Sequence, residues 1–344
     1  MPKSLKNLIK FICFFGIGVL LIWLFTRNFT PEQWTQMKTA LKKANYWLAI
    51  PAVIIGIASH WFRATRWKLL MKPLGHTPTT LNTFFAVMTG YLVNLALPRV
   101  GEVTRCGILT QYEKIPADKL VGTMIAERAV DLLCLILLTV ITVFTQFDIL
   151  GAYFQKFIVV KFQEKIAGAN MVQIGIGLAI LIAVILLAIW QVRRFSRTKA
   201  FITIKAFAKG MLEGILSVGK MENKWSFIIQ SILIWACYGS QVYIAFYCMS
   251  ETAGLGISAA LAVLVIGSVG MIVMPGGIGI YYGLVGSILE LYKIPYEIGF
   301  AFGTLIWVVQ TILVIVLGFF SLVALPVYNR NRALKNSPAA SGDK

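Results

Sequence analysis

The chain has 344 residues, of which 58% are hydrophobic and 13% are charged, and its formal net charge is +18. This apolar content excludes a water-soluble domain of this size and indicates an all-α, polytopic membrane protein. The positive charge does not indicate nucleic acid, because the basic residues lie between apolar stretches, where they set orientation and attract anionic headgroups. The cysteines form no CxxC pair, and His60 and His76 have no ligand cluster nearby, so we expect neither a metal nor a cofactor.

Six apolar stretches each approach the roughly 20 residues that a spanning helix needs. They lie at 8–26, 45–62, 129–147, 171–190, 226–249 and 298–325. The first resembles a signal peptide but is followed by no small-residue cleavage site, so we expect an uncleaved span. The basic loop from Arg193 to Lys224 is the strongest cytoplasmic marker, and counting outward from it predicts that both termini are cytoplasmic.

The loop from Arg27 to Asn45 disagrees with this count, because it should be external and yet carries Lys38, Lys42 and Lys43. Its pattern predicts an amphipathic helix on the membrane surface, with Trp34 and Met37 directed toward lipid.

Two further segments, 81–115 and 256–292, each contain a long apolar arm, a proline-glycine break and a shorter second arm. The second arms are too short to cross a hydrocarbon core of roughly 30 Å as helices. Each segment must also begin and end on one side for the charge bias to hold. We therefore predict two re-entrant helical hairpins that enter the membrane from opposite sides.

The two halves of the chain resemble each other beyond these breaks. Lys114-Ile115-Pro116 follows the first hairpin and Lys293-Ile294-Pro295 follows the second. An odd number of spans separates the hairpins, which predicts inverted repeats at about 45–147 and 226–325. Chance recurrence in a glycine-rich chain is the alternative. Inverted repeats with broken helices place a substrate near the midplane. We predict one membrane domain over residues 1–344, with a cytoplasmic tail at 329–344.

Six charged residues fall in the first hairpin and the span after it: Arg99, Glu102, Arg105, Glu127, Arg128 and Asp131. Left unpaired at the bilayer centre they would cost roughly 15–20 kcal/mol, so they must pair, line water or lie near an interface. Helical spacing allows the pairs Arg99–Glu102 and Arg128–Asp131, and it places Glu127 and Asp131 on one face. Arg63 and Arg66, at the end of the second span, then leave an excess of two positive charges.

These charges predict a site for an anionic headgroup, since an arginine fork matches a phosphodiester well. Arg63, Arg66 and Arg99 would hold the headgroup, and the carboxylates would orient the arginines or contact a cationic substituent. Alternatively, Arg63 and Arg66 are interfacial anchors, and we expect only that role of Arg105. We expect Asn94 to bond carbonyl groups that Pro98 leaves free.

The second break is uncharged, and its glycines can direct backbone N–H groups into a cavity at a helix start. The alternative is that they only permit close helix packing. The predicted substrate-binding residues are Arg63, Arg66, Arg99, Glu102, Glu127, Arg128, Asp131, Gly276, Gly277, Gly279, Tyr282 and Gln310. The predicted structural breaks are Asn94, Pro98, Gly101 and Pro275.

These motifs together resemble the flippase-like transmembrane region of lysylphosphatidylglycerol synthases, over about residues 8–328. They are Asn94-x-x-Leu97-Pro98-x-x-Gly101-Glu102-x-x-Arg105, Glu127-Arg128-x-x-Asp131, Pro275-Gly276-Gly277-Ile278-Gly279 and His60-Trp61-Phe62-Arg63-x-x-Arg66-Trp67. The resemblance implies a region that moves an aminoacylated lipid to the outer leaflet, while a separate soluble domain performs aminoacyl transfer. Two positions depart from the family: Tyr282 replaces a common glutamate and Val273 a frequent proline. The missing carboxylate removes an expected contact for a lysyl group.

We therefore expect a stand-alone flippase of the bacterial inner membrane that moves an anionic or zwitterionic phospholipid or a lipid-linked carrier. No phosphate-binding P-loop motif is present, so movement would be passive or ion-coupled. The loops are shorter than the roughly 40 residues that fold unaided, which argues against an enzyme. The alternatives are a component of aminoacyl-lipid synthesis or glycosyl transfer, an anchor for a separately encoded lipid-modifying enzyme, and a small-solute transporter.

Overall fold

The computed structural model describes residues 16–97, 99–147, 219 and 221–335, and its regular elements within these ranges are all helical. The α-helices are α1 (Gly16–Thr26), α2 (Pro31–Lys43), α3 (Ala49–Met71), α4 (Thr80–Ala96), α5 (Val100–Glu113), α6 (Ala117–Thr145), α7 (Lys224–Phe246), α8 (Ile257–Val273), α9 (Ile280–Glu290) and α10 (Tyr296–Lys335). The predicted span at 171–190, most of the basic loop and the end of the predicted tail lie outside the described residues.

Four helical stretches in the described ranges are long and apolar enough to cross a membrane, so the chain is a multi-pass membrane protein. They are Tyr46–Leu74, Ala117–Thr145, Lys224–Phe246 and Tyr296–Lys335. The stretch Tyr46–Leu74 continues past its predicted end at residue 62, and Ala117–Thr145 begins before its predicted start at residue 129. Charged residues ended the apolar pattern at both places, but the folded protein pairs and buries them. Helix α10 likewise continues through Pro326 into the predicted tail, as far as Lys335.

Both predicted breaks interrupt helices, and the chain enters each of them in the same way. Leu97 caps the end of helix α4 and Met274 caps the end of helix α8, and both of these residues have extended backbone. Each precedes a proline, whose ring disfavours helical conformation in the residue before it. The second arms, α5 and α9, have 14 and 11 residues. Each second arm packs against its first arm.

A close glycine contact holds the arms of the first broken segment together. A Cβ atom placed on Gly101 of α5 would lie 1.9 Å from the carbonyl oxygen of Gly90 in α4. The backbones of the two arms therefore approach as closely as glycine allows. The predicted role of Gly101 as part of the break extends to this helix contact.

Helix α2 forms where the amphipathic pattern predicted it. Thr30 caps it by accepting a hydrogen bond from the Gln33 N–H, and the Gln33 side chain bonds the Thr30 N–H in return. Met37, however, packs against a buried apolar cluster of the protein and does not face lipid as predicted. Helix α2 also packs on the start of α10, where Gln33 donates to buried Glu297 at 3.2 Å.

A polar clasp, formed by Thr79, Asn82, Glu113, Asn329 and Arg332, joins the open end of the first broken segment to α10. Glu113 accepts hydrogen bonds from the Thr79 hydroxyl at 2.7 Å, Asn82 at 2.6 Å and Arg332 at 2.9 Å. Asn82 and Asn329 exchange two more. Burial favours a raised pKa for Glu113, but these hydrogen bonds outweigh it and hold that pKa below its usual range. The clasp therefore stabilises the fold when Glu113 is ionised.

We expect Glu113→Gln to lower the free energy of unfolding by about 1–3 kcal/mol, since it leaves buried donors poorly matched. Because the folded pKa is depressed, the wild-type advantage is present above the unfolded pKa of about 4.3 and is lost as pH falls through the folded value. Thermal unfolding in detergent, measured from about pH 3 to about pH 8, reports both effects. A difference in stability between wild type and Glu113→Gln that is unchanged at the lowest pH would contradict this account.

Candidate functional site

A buried ion cluster joins α3, α5 and α6. The Arg63 Nη1 atom lies 2.9 Å from Glu127 Oε1 and 2.8 Å from Asp131 Oδ2. Arg66 Nη2 lies 2.6 Å from Asp131 Oδ1, and Arg105 Nη1 lies 3.0 Å from Glu127 Oε2. Every carboxylate oxygen of Glu127 and Asp131 thus accepts from an arginine. The two carboxylates cross-link three helices.

Helical periodicity on α3 and α6 produces this arrangement. Arg63 and Arg66 stand three residues apart and Glu127 and Asp131 four apart, so each pair projects from one face of its helix. Facing stripes of opposite charge then meet across the helix interface. The Arg66 and Glu127 side chains are fully buried. Burying a charge costs free energy, and close ion pairs with hydrogen-bond geometry are what offsets that cost.

Arg128 completes the cluster but differs from the other arginines. Its side chain is 39% exposed, whereas those of Arg63, Arg66 and Arg105 are at most 7% exposed. Its nearest carboxylate oxygen, on Glu127, is 3.6 Å away, which is beyond hydrogen-bond distance. Within the described residues its Nε atom has no partner. Four arginines and two carboxylates leave two positive charges in excess, and Arg128 is the most exposed of the four arginines.

A cavity of about 500 Å³ lies between the long helices and the two broken segments. Arg63, Arg128 and Asp131 form its charged end, together with Tyr91 and Tyr238. Most of the remaining wall is apolar and includes Leu132, Leu135, Leu264, Ile272, Leu305 and Val314. Asn94 reaches the cavity from the first broken segment and Gly276 from the second. An apolar pocket with a few convergent polar groups is the usual form of a ligand site.

The first break contributes to this site differently from the prediction. Arg99 and Glu102 do not line the cavity. Their spacing predicted that Glu102 pairs with Arg99, but Glu102 accepts a hydrogen bond from Asn94 at 3.2 Å. The Asn94 side-chain oxygen accepts from the Gly101 N–H at 2.8 Å, and its amide nitrogen donates to Glu102 and not to a carbonyl group that Pro98 leaves free. Arg105 is no interfacial anchor: it is buried, paired with Glu127 and stacked 4.4 Å over the Trp67 ring.

The second break is a turn that requires glycine. Gly276, Gly277 and Gly279 have left-handed φ angles of 74°, 69° and 83°, which only glycine adopts without cost. The Gly279 N–H donates to the Tyr282 hydroxyl at 2.8 Å, and the Gly276 carbonyl accepts from the Trp307 indole at 2.7 Å. The Gly277 N–H bonds within the turn to Met274. Two of the N–H groups predicted to face a cavity are therefore used internally, and Gly276 is the one of these glycines that lines the cavity.

Of the remaining candidates, Gln310 lines the cavity and Tyr282 does not. Tyr282 is buried among aromatic rings, 5.0 Å from Phe300, and supports the turn. The cavity-lining residues that the prediction omitted include His60 and Tyr238. His60 lies 3.5 Å from Gln310, and Tyr238 accepts a hydrogen bond from Arg63 at 3.0 Å. A sequence signal for both existed, because each is a polar residue within an apolar span.

The family comparison agrees with these motifs. The family model described as the lysylphosphatidylglycerol synthase TM region matches residues 10–318. The chain belongs to this family. The match confirms the resemblance and covers the two broken segments and the ion cluster. In this member of the lysylphosphatidylglycerol synthase TM region family, the Tyr282 hydroxyl group stabilises the glycine turn by accepting a hydrogen bond from the Gly279 N–H.

One curated relative adds a partial match. A UPF0104 membrane protein of Methanocaldococcus jannaschii is 32% identical over 85 residues, which is 24% of this chain. The aligned part spans 25% of that protein's own length. No solved structure matches the chain.

Proposed function

We propose that this chain is a lipid flippase that moves a phospholipid or lipid-linked carrier across its membrane, with the headgroup bound at Arg128. One observation carries the proposal: a partly exposed, poorly neutralised arginine lies at the charged end of a cavity whose other walls are mainly apolar. An amphiphile has the matching distribution, with a charged head and apolar chains. We place the protein in a bacterial inner membrane with both termini cytoplasmic.

The ion cluster explains how such a site is tolerated within a membrane. Isolated charges are expensive there, but the close pairs of Glu127 and Asp131 with Arg63, Arg66 and Arg105 offset much of that cost. The same pairs fix the rotation of α6, which presents Arg128 to the cavity. A headgroup phosphate that binds there replaces water by a charge-assisted contact in a medium of low dielectric constant.

The two broken segments supply the second line of support. Each contributes residues to the cavity wall, as expected for a transporter whose discontinuous helices meet at a central site. In our proposal the segments are re-entrant hairpins of an inverted repeat, and six spans complete the fold. Rocking of one repeat against the other would open the cavity to each leaflet in turn.

The test is lipid movement in proteoliposomes, followed by dithionite bleaching of a fluorescent phospholipid. We expect Arg128→Gln to slow movement at least about tenfold, because it removes a charged hydrogen-bond donor from the headgroup site. Lys119→Gln is the matched control, since it removes the same charge from an exposed position of the same helix. Equal rates for wild type and a folded Arg128→Gln variant would refute the proposal.

The other function classes predict different results in the same preparation. Uptake of a soluble anion without lipid movement would assign the cavity to solute transport. Copurification of a soluble lipid-modifying enzyme, with no movement by the chain alone, would indicate an anchoring role. Loss of aminoacyl-phosphatidylglycerol from the total lipids of a deletion strain would indicate a part in its synthesis, whereas a changed leaflet distribution would support the flippase.

A further inference from the structure

We propose that the headgroup recognised at Arg128 is a dianionic phosphomonoester, such as that of a lipid monophosphate, and that phosphodiester and aminoacyl headgroups are bound more weakly. This inference deepens the proposed function and rests on it. It concerns which lipid the cavity selects, and its basis is the charge balance and the hydrogen-bond donors of the charged end.

The charge balance of the ion cluster favours a ligand that carries two negative charges. The cluster has an excess of two positive charges, and Asp131 is the acidic residue that lines the cavity in the described part of the chain. Arg99 and Glu102 lie off the cavity wall and carry opposite charges, so they do not alter the balance. A phosphomonoester carries a charge of about −1.5 to −2 at pH 7, which offsets this excess, whereas a phosphodiester offsets half of it.

Two donors at the charged end suit the oxygens of a phosphate group. The Arg128 side chain is 39% exposed, and its nearest carboxylate oxygen is 3.6 Å away, beyond hydrogen-bond distance. The Tyr238 hydroxyl oxygen accepts from Arg63, so its own hydrogen is the one that it can offer to a ligand. Arg128 on α6 and Tyr238 on α7 both line the cavity, so an anion there meets one charged and one neutral donor.

A cationic aminoacyl group finds no matching carboxylate here. Glu127 is fully buried and bonded on both oxygens, and both oxygens of Asp131 accept from arginines. The Tyr282 hydroxyl accepts from the Gly279 N–H, and Tyr282 does not line the cavity. The described cavity wall therefore offers a lysyl ammonium group no free acceptor of opposite charge.

The chemistry that this site recognises is a dianionic phosphate group, which a lipid monophosphate and inorganic phosphate both provide. We assign the lipid, because the greater part of the wall of this cavity of about 500 Å³ is apolar and matches acyl or prenyl chains. Inorganic phosphate would leave that surface unfilled. Competition between the two distinguishes these sources.

The test is native mass spectrometry of the purified chain with equal amounts of dioleoyl phosphatidic acid and dioleoyl phosphatidylglycerol, which share acyl chains and differ in headgroup. We expect wild type and Lys119→Gln to retain the monoester at least about tenfold more than the diester. Arg128→Gln reduces the excess to one charge, and we expect that preference to disappear. Excess inorganic phosphate is expected to leave lipid binding unchanged.

Each other outcome overturns a defined part of the proposal. Equal retention of the two lipids by wild type would refute the headgroup assignment, even if both lipids move in the liposome assay. Displacement by inorganic phosphate would refute the lipid source. An absence of movement of either lipid would instead refute the proposed function. The comparison within wild type stands whether or not the Arg128 variant folds.

Discussion

Glu127→Gln is expected to lower the free energy of unfolding by about 3–5 kcal/mol, the usual cost of breaking a buried ion pair from one side. Glu127 is fully buried, and four arginines approach it: Arg63 at 2.9 Å, Arg105 at 3.0 Å, Arg66 at 3.5 Å and Arg128 at 3.6 Å. Removing its charge raises the excess of the cluster from two positive charges to three. The measurement is thermal unfolding in detergent, monitored by size-exclusion chromatography after heating.

Glu222→Gln is the control for this prediction. Its side chain is 89% exposed and lies 3.9 Å from Lys72, so we expect no measurable change in stability. The double variant Glu127→Gln/Arg105→Gln restores an excess of two charges and is expected to recover part of the loss. Unfolding of Glu127→Gln at the wild-type temperature would show that the cluster does not hold α3, α5 and α6 together.

Gly101→Ala is expected to destabilise the first broken segment by at least about 3 kcal/mol, at or above the upper end of the usual cost of overpacking. The new Cβ would lie 1.9 Å from the Gly90 carbonyl oxygen and 2.7 Å from the Asn94 amide oxygen. A backbone oxygen cannot rotate away, so the two arms must separate. Because Asn94 lines the cavity, the same change should also slow lipid movement.

Gly107→Ala provides a matched control on the same helix. A Cβ at Gly107 meets no atom within 4 Å, and alanine favours a helix interior over glycine by up to about 1 kcal/mol. We therefore expect this variant to match or exceed wild-type stability. Equal melting temperatures for the two alanine variants would contradict the close approach of the arms.

Sequence reasoning succeeded for features that depend on local pattern. The apolar lengths predicted the four described spans, and the prolines after Leu97 and Met274 predicted where α4 and α8 end. It failed for charge partners, because helical spacing identifies only neighbours on one helix. Arg105 was expected to be only an interfacial anchor, because its partner Glu127 lies on another helix.

The same limit applies to the second break. Three glycines within four residues, Gly276, Gly277 and Gly279, indicated a break in the helix, and their left-handed φ angles agree with that prediction. Which of their N–H groups remain free depends on the tertiary structure and could not be read from the sequence. The Tyr282 hydroxyl, one helical turn ahead, reaches back to bond the Gly279 N–H, and no spacing rule distinguishes that orientation from one that faces a substrate.

The sequence alone determined that this is a helical membrane protein with two broken apolar segments and a cluster of charges that must pair. These properties follow from composition, apolar length and helix-breaking residues, which act locally. Only the tertiary structure decided that Arg66 and Arg105 are buried structural partners and that Arg128 faces the cavity. The rotation of α6 against α3 and α5 makes that choice, because it decides which arginines reach the two carboxylates and which one is left exposed.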